Sequence, residues 1–250
     1  MSAPPTTSDW YQDWFDEDYL ALYPHRDDRE AVCFVETIWN KLRLEAGVTV
    51  GDLPCGSGRH SKAFAKLGAQ VTGLDLSEVM IRLAQQSAAG LYPQPRFLQG
   101  DLRELPFSTE FELVVNLFTS FGYFEQDSEN ERVFSELVRV LLPDGALLID
   151  TVNPFWLIDN FLPQEIIKTD EYEADIEKEL VDDNRRVIKR VHLTRQSRTR
   201  DITESVRLYQ TEDFEDFSVR HGLHLLEFWG DYDGSLYSKT TPRLILLARK

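Results

Sequence analysis

Between residues 48 and 152 short apolar runs alternate with stretches of helical period, and this rhythm restricts the fold more than any other feature of the chain. Residues 48–53, 70–74, 96–99, 111–116 and 146–152 read as strands. A helix over 59–67 stops at Gly68, a second is capped by Ser77 and reaches about Ser87, and a third over 129–141 stops at Pro143-Asp144-Gly145. Strands separated by helices must cross over rather than turn back, so they pair in parallel beneath helices on both faces. The expected fold is α/β, with a doubly wound, mostly parallel sheet.

The flanks follow other periods. Residues 1–8 read as a disordered tip and 9–44 as N-terminal helices. Tyr11, Trp14, Phe15, Tyr19 and Leu22 recur at i, i+3, i+4 and predict one short amphipathic helix ended by Pro24. A second helix is expected from about Asp27 to Leu44, with Ala31, Val32, Val35, Ile38, Trp39 and Leu42 inward. After Asn153-Pro154 the rhythm breaks. Glu171, Glu173, Asp175, Glu177 and Glu179 alternate with Tyr, Ala, Ile, Lys and Leu, the period of a strand with one wet face. Asp182-Asp183-Asn184 is a turn, and 187–195 alternates on the way back. Pairing around that turn sets Leu180 opposite Val187, Ile176 opposite Val191, Ala174 opposite Leu193 and Glu177 opposite Arg190. It also opposes Lys178 to Lys189, a like-charge defect. A third antiparallel strand is expected over 202–209. The segment 155–210 thus reads as an inserted antiparallel β lid in a sheet domain formed by 45–154 and 211–250. In the closing part, Thr211 caps a helix, and 223–229 and 243–248 are strands.

Composition narrows the function. The 250 residues hold 27 basic and 43 acidic side chains, a net charge of −16. Such a surface repels polyanions, so neither nucleic acid nor an anionic membrane is an expected partner. No apolar run approaches the ~18 residues of a membrane span. The start has no basic or apolar leader segment, and two cysteines, Cys33 and Cys55, are too few for a disulfide framework. A cytoplasmic protein is expected.

The strongest chemical signal is Val50-Gly51-Asp52-Leu53-Pro54-Cys55-Gly56-Ser57-Gly58. A glycine-rich turn between strand and helix lets a ligand approach the backbone. Dinucleotides and S-adenosylmethionine both use such turns. A dinucleotide fingerprint needs G-x-G-x-x-G, and Ser61 stands at its third position. Asp52 would also face the two charges of a pyrophosphate, whereas it suits the ammonium and sulfonium of S-adenosylmethionine. Asp75 ends the next strand, where a carboxylate can accept both ribose hydroxyls. Asp101 follows the third strand and can accept from an adenine amino group.

These residues resemble those of the Rossmann-like (class I) S-adenosylmethionine-dependent methyltransferases. Residues 52–58 are similar to their first motif. Asp75 with Leu76 matches the ribose acid, and Asp101 with Leu102 the adenine side. Asn116-Leu117-Phe118-Thr119-Ser120 matches the segment after strand four, and Leu142-Pro143-Asp144-Gly145-Ala146 the turn before strand five. The resemblance implies a seven-stranded order 3-2-1-4-5-7-6 with strand seven antiparallel. It further implies cofactor contacts from Asp52, Pro54, Cys55, Gly56, Gly58, Asp75, Leu76, Asp101, Leu102, Asn116 and Leu117. The inserted strands resemble the substrate lid of small-molecule members. Pro54 and Asp144 depart from glycines common in the family. The segment 116–119 lacks the Asn-Pro-Pro-Tyr of enzymes acting on DNA adenine or protein glutamine, so the implied acceptor is a small molecule.

Thr119, Ser120, Tyr123, Asn153 and Trp156 lie at the carboxyl edge expected to line the acceptor pocket. Tyr11, Tyr19, His25 and His192 are the candidates for a catalytic group. The basic run Arg185, Arg186, Lys189, Arg190, Arg195, Arg198 and Arg200 can capture an acidic substrate, or face the acidic strand; the register favours the second. Two other readings stay open: an NAD(P)-linked oxidoreductase, and a protein that binds S-adenosylmethionine without turnover.

Overall fold

A computed structural model describes residues 9–23, 28–195 and 198–250. The expected tip 1–8, with Pro24, His25 and Asp27, lies outside the described residues. A seven-stranded sheet is built from β1 (Thr49–Asp52), β2 (Gln70–Asp75), β3 (Arg96–Gln99), β4 (Phe111–Asn116), β5 (Leu141–Val152), β10 (His224–Trp229) and β11 (Arg243–Arg249). Its order is β10-β11-β5-β4-β1-β2-β3, and β11 runs antiparallel to both of its neighbours. This is the expected 3-2-1-4-5-7-6 order.

The central strands are mostly apolar on both sides because both faces of the sheet are covered. Val114, Leu147, Ile149, Leu244 and Leu246 pack with Phe134 and Leu137 of α6 (Asp127–Arg139) and Phe214 and Phe217 of α8 (Thr211–Arg220). On the other face Val50, Leu113, Val115, Leu148 and Ile245 pack with Phe34, Val35 and Ile38 of α3 (Asp28–Leu42) and Phe64 of α4 (Arg59–Lys66). Phe34 is a core residue that the helical period did not single out. α5 (Glu78–Ser87) is capped as expected, the Ser77 hydroxyl accepting from Met80 N–H at 3.2 Å.

A second, antiparallel sheet comprises β6 (Gln164–Lys168), β7 (Tyr172–Val181), β8 (Arg186–Arg195) and β9 (Arg198–Arg207), in that order. The register of β7 on β8 pairs the same residues that the sequence pairs, Lys178 opposite Lys189 included. The odd acidic positions of β7 are exposed, while Tyr172, Ala174 and Ile176 are buried.

Several boundaries differ from expectation. The N-terminal helix is two helices, α1 (Trp10–Trp14) and α2 (Glu17–Leu22). Asp16 starts the second by accepting Asp18 N–H at 2.9 Å and Tyr19 N–H at 3.3 Å. These helices lay Trp14, Leu22 and Tyr23 on Tyr172, Ala174, Ile176, Val191 and Leu193 of the second sheet. α6 ends at Arg139 because Leu141 already pairs with Phe111. The third inserted strand begins at Arg198 and ends at Arg207. β6 and the short α7 (Pro154–Asp159) have no counterpart in the sequence reading. α8 is capped by Gln210 rather than Thr211: Gln210 N–H donates to Asp213 at 2.7 Å, so Thr211 is its first residue.

Candidate functional site

The carboxyl ends of β1, β2, β3 and β4 converge on a cleft. The glycine turn after β1 forms part of its wall. Cys55 N–H donates to Leu74 C=O at 2.9 Å, tying the turn to β2. The two glycines serve different needs. Gly56 (φ +53°) has open space where a Cβ would stand, so a ligand can reach its backbone. Gly58 (φ +80°) would press a Cβ to 3.0 Å from Ala84 and 3.1 Å from Phe97, so it lets α5 and β3 pack close.

Asp75 joins the first two strand ends. It accepts Gly56 N–H at 2.8 Å and Ser77 N–H at 2.9 Å. Burial raises its carboxyl above the ordinary value, against those amide bonds. Each carboxylate oxygen keeps acceptor capacity toward the cleft, which suits a vicinal diol. Ser77 Oγ donates to Phe15 C=O at 2.6 Å, fastening the N-terminal segment over the site.

Asp52 sits under the turn, wholly buried, and does not line the cleft. One oxygen accepts Ser61 Oγ–H at 2.5 Å; the other, Oδ1, has no partner among the described residues. Burial pushes its carboxyl up to about 7, opposed by the Ser61 bonds. Asn116 is equally buried and donates from Nδ2 to Leu53 C=O at 2.8 Å, bracing β4 against the turn. Asp101 is held by its neighbour: Arg103 donates Nη2–H at 2.7 Å and also pairs with Glu129 at 2.7 Å. Burial raises the Asp101 carboxyl, but these bonds outweigh it and leave it below the ordinary range.

A second cavity lies between the two sheets. Phe15, Tyr19, Phe118 and Tyr123 line both cavities. Phe118 and Thr119 have left-handed backbones (φ +65° and +58°), an arrangement that costs non-glycine residues energy and needs outside support. Asp150 supplies it: Oδ2 accepts Phe118 N–H at 2.8 Å, and its main-chain oxygen accepts Thr119 N–H at 2.9 Å. Arg243 donates to Asp150 from Nε at 2.8 Å and to Thr119 Oγ1 from Nη2 at 2.9 Å. The Tyr232 hydroxyl completes the set at 3.3 Å.

Of the sequence candidates, Pro54, Cys55, Gly56, Asp75, Leu76, Asp101, Leu102 and Leu117 line the first cleft, with Ser120, Tyr123, Tyr11 and Tyr19. Thr119 lines the second cavity. Asp52, Gly58 and Asn116 support the cleft from behind. Asn153 and Trp156 line neither. Asn153 is wholly buried, donating to Ser238 and Thr241 C=O at 2.9 and 2.6 Å, and so fastens the β10–β11 loop. His192 does not fit a base either. It is exposed beside Asp175 on the outer face of β8, its Nδ1 2.6 Å from Asp201. His25 lies outside the described residues. The basic run is committed structurally: Arg185 to Asp213, Arg190 to Glu179, Arg195 to Asp18, and Arg200 to Asp16 and the Asp13 carbonyl. Arg190 thus meets the acidic strand, Arg195 and Arg200 meet the N-terminal segment, and Arg185 meets α8.

Arg59, His60 and Phe124 also line the first cleft and were not among the site candidates; Phe118, part of the matched segment after strand four, lines it too. Burial pushes His60 down to about 3, so it is a neutral wall. His60 and Arg59 follow the glycine turn directly, which is the signal that could have found them. Among the described residues no group of three or more His, Cys, Asp or Glu is placed to hold a metal ion, and no helix is long and apolar enough to cross a membrane.

Comparison with known proteins agrees with this geometry. Residues 50–145 match a family described as "Methyltransferase domain". The chain is 30% identical over 220 residues to "Putative methyltransferase YqeM" of Bacillus subtilis (strain 168), covering 86% of this chain and 89% of that one. It is 30% identical over 110 residues, 44% of each chain, to the dTDP-3-amino-3,4,6-trideoxy-alpha-D-glucopyranose N,N-dimethyltransferase of Streptomyces venezuelae. The fold matches a solved S-adenosylmethionine-dependent methyltransferase from Clostridium acetobutylicum ATCC 824 with a TM-score of 0.80, at 19% identity over 93% of this chain and 97% of that one.

Proposed function

Because this chain belongs to the class I S-adenosylmethionine-dependent methyltransferases, we propose that it methylates a small-molecule acceptor held in the second cavity, with the cofactor in the first. The observation that carries this reading is the shared aromatic wall. Phe15, Tyr19, Phe118 and Tyr123 line both spaces, so two ligands would meet there. The cofactor fits the residues present. Gly56 opens its backbone to the cleft, and Asp75 keeps carboxylate acceptors there for a ribose. Leu76 and Leu102, with Met80, offer apolar contact for a purine. Asp52 and its unpartnered oxygen lie behind the turn, so we assign Asp52 an electrostatic part rather than a contact.

When bound, S-adenosylmethionine supplies a methyl group already activated on sulfur. The protein's task is then alignment and exclusion of water. Tyr11, Phe15, Tyr19 and Phe124 cover the cleft with apolar surface. The Asp150–Arg243 pair fixes the loop carrying Phe118 and Thr119 at the junction of the cavities. A base is needed only if the acceptor atom carries a proton at working pH. His60, held neutral by burial, and the outward His192 are not assigned that part.

The oxidoreductase alternative gains no support: the relatives named above are methyltransferases, and the Ser61 hydroxyl is spent on Asp52. Since one relative methylates an amino sugar, amino sugars head the acceptors to screen. The unpaired Cys33 and Cys55 agree with a reducing cytoplasm, where we place the protein. Calorimetric titration with S-adenosylmethionine and S-adenosylhomocysteine, followed by an acceptor screen read as S-adenosylhomocysteine release, tests the proposal. Binding of both and acceptor-dependent release are expected. Indifference to both compounds would refute it, and binding without release across the screen would favour a non-catalytic binder.

A further inference from the structure

On the face it turns toward the core, the second sheet carries one charged cross-strand row between two apolar ones. Ile176, Val191 and Ile202 form the row on one side of it; Leu180, Val187 and Val206 form the row on the other. Between them stand Lys178, Lys189 and Glu204, and all three line the second cavity. Their side chains are only 23, 15 and 17% exposed. Directly opposed like charges destabilise a sheet, and sheltering an ammonium from water costs more.

The neighbours answer this charge only in part. Glu204 is shared, accepting Trp14 Nε1–H at 2.6 Å and the Tyr23 hydroxyl at 3.4 Å. Lys189 stands 3.5 Å from it, with its ammonium 4.5 Å from the centre of the Tyr23 ring. Lys178 pairs at 2.8 Å with Glu165 on the neighbouring strand β6, a side chain 43% exposed and absent from the cavity wall. The arginines of β8 and β9 that hold carboxylates elsewhere do not line this cavity. The remaining wall is mostly aromatic and aliphatic, from Trp10, Phe118, Val152 and Leu157. In a chain of net charge −16, a cavity wall with two lysines against the single carboxylate of Glu204 is a local inversion of the overall field.

We infer that the second cavity contains an oxyanion subsite: the acceptor carries a carboxylate or phosphate group gripped by Lys178 and Lys189. The anion offsets the like-charge pair, and the rest of the acceptor lies against Phe118 and Tyr123. This rests on the reading that the second cavity receives the acceptor.

The test is calorimetric titration of the S-adenosylhomocysteine complex with inorganic phosphate and, separately, acetate, at ionic strength held constant with chloride. Saturable binding is expected. It should weaken about tenfold in Lys178→Met and in Lys189→Met, each losing one charged hydrogen-bonding partner, and persist in Lys189→Arg. Phosphate binding tighter than acetate points to a phosphorylated acceptor, and the reverse to a carboxylated one. The inference is overturned if neither anion saturates, or if both methionine variants bind as the parent does. Failure to bind S-adenosylhomocysteine would instead count against the functional reading, and the same anion titration of the free chain would still decide the subsite.

Discussion

Replacing Arg243 with methionine tests whether the Asp150–Arg243 pair is what holds the strained loop. Asp150 is wholly buried and receives two donors from Arg243, at 2.8 and 2.7 Å. Breaking one side of a buried pair costs about 3–5 kcal/mol, because the other charge is left without compensation. Two other donors survive in Arg243→Met, Phe118 N–H at 2.8 Å and the Tyr232 hydroxyl at 3.3 Å. The lower end, about 3 kcal/mol at pH 8, is therefore expected. Burial already raises the Asp150 carboxyl, against the attraction of Arg243, and losing the guanidinium raises it further. A carboxyl raised in the folded state favours folding below its unfolded value, and that advantage is lost as pH climbs through the folded value. The deficit of the variant should accordingly be smallest near pH 4 and grow toward pH 8. Urea unfolding followed by tryptophan fluorescence at pH 4.5 and pH 8 measures it. The double variant Arg243→Met with Asp150→Asn should recover a substantial part of the loss at pH 8. A deficit equal at the two pH values, or below about 1 kcal/mol at pH 8, would refute the argument.

Three further outcomes follow from the site. Asp75→Ala should weaken S-adenosylhomocysteine binding about tenfold to a hundredfold, the worth of a charge-assisted hydrogen bond, and unchanged calorimetric affinity would mean the ribose lies elsewhere. Asp52, pushed up to about 7 by burial, favours the fold below about pH 4 and loses that contribution as pH rises through about 7. Asp52→Asn should remove this slope, so parallel melting curves for parent and variant between pH 4 and 8 would count against it. Trp14→Ala, at a residue 1% exposed, should cost about 3–5 kcal/mol locally and weaken cofactor binding, because α1 and α2 carry Tyr11 and Tyr19 to the cleft. Limited proteolysis would show early cleavage there; an intact N-terminus with unchanged affinity would contradict this.

What the sequence determined by itself is whatever is set by local period and local turn chemistry. The alternation from 48 to 152 was enough for the parallel sheet, because strands buried on both faces must be apolar throughout. The β7–β8 register was legible for a related reason: the Asp182-Asp183-Asn184 turn fixes which residues oppose, and a one-residue slip would invert the wet face. Asp75 was legible too, since a carboxylate at a strand end is placed by its own strand.

Only the tertiary structure decided what depends on neighbours distant in the chain. Asn153 looks like a pocket residue at a strand end, yet the loop over 230–242 folds back and takes its amide. Asp52 looks like a ligand contact, yet Ser61, one turn into the next helix, turns it inward. The helix break at Asp16 and the committed arginines of β8 and β9 arise together, because acids of the N-terminal segment meet bases some 180 residues away. The Lys178–Lys189 opposition was visible in the pattern, but whether it faced water or a chamber was set by which face of the second sheet turns toward the second cavity. Periodicity says that two faces differ; it takes the packing of distant elements to say what each face meets.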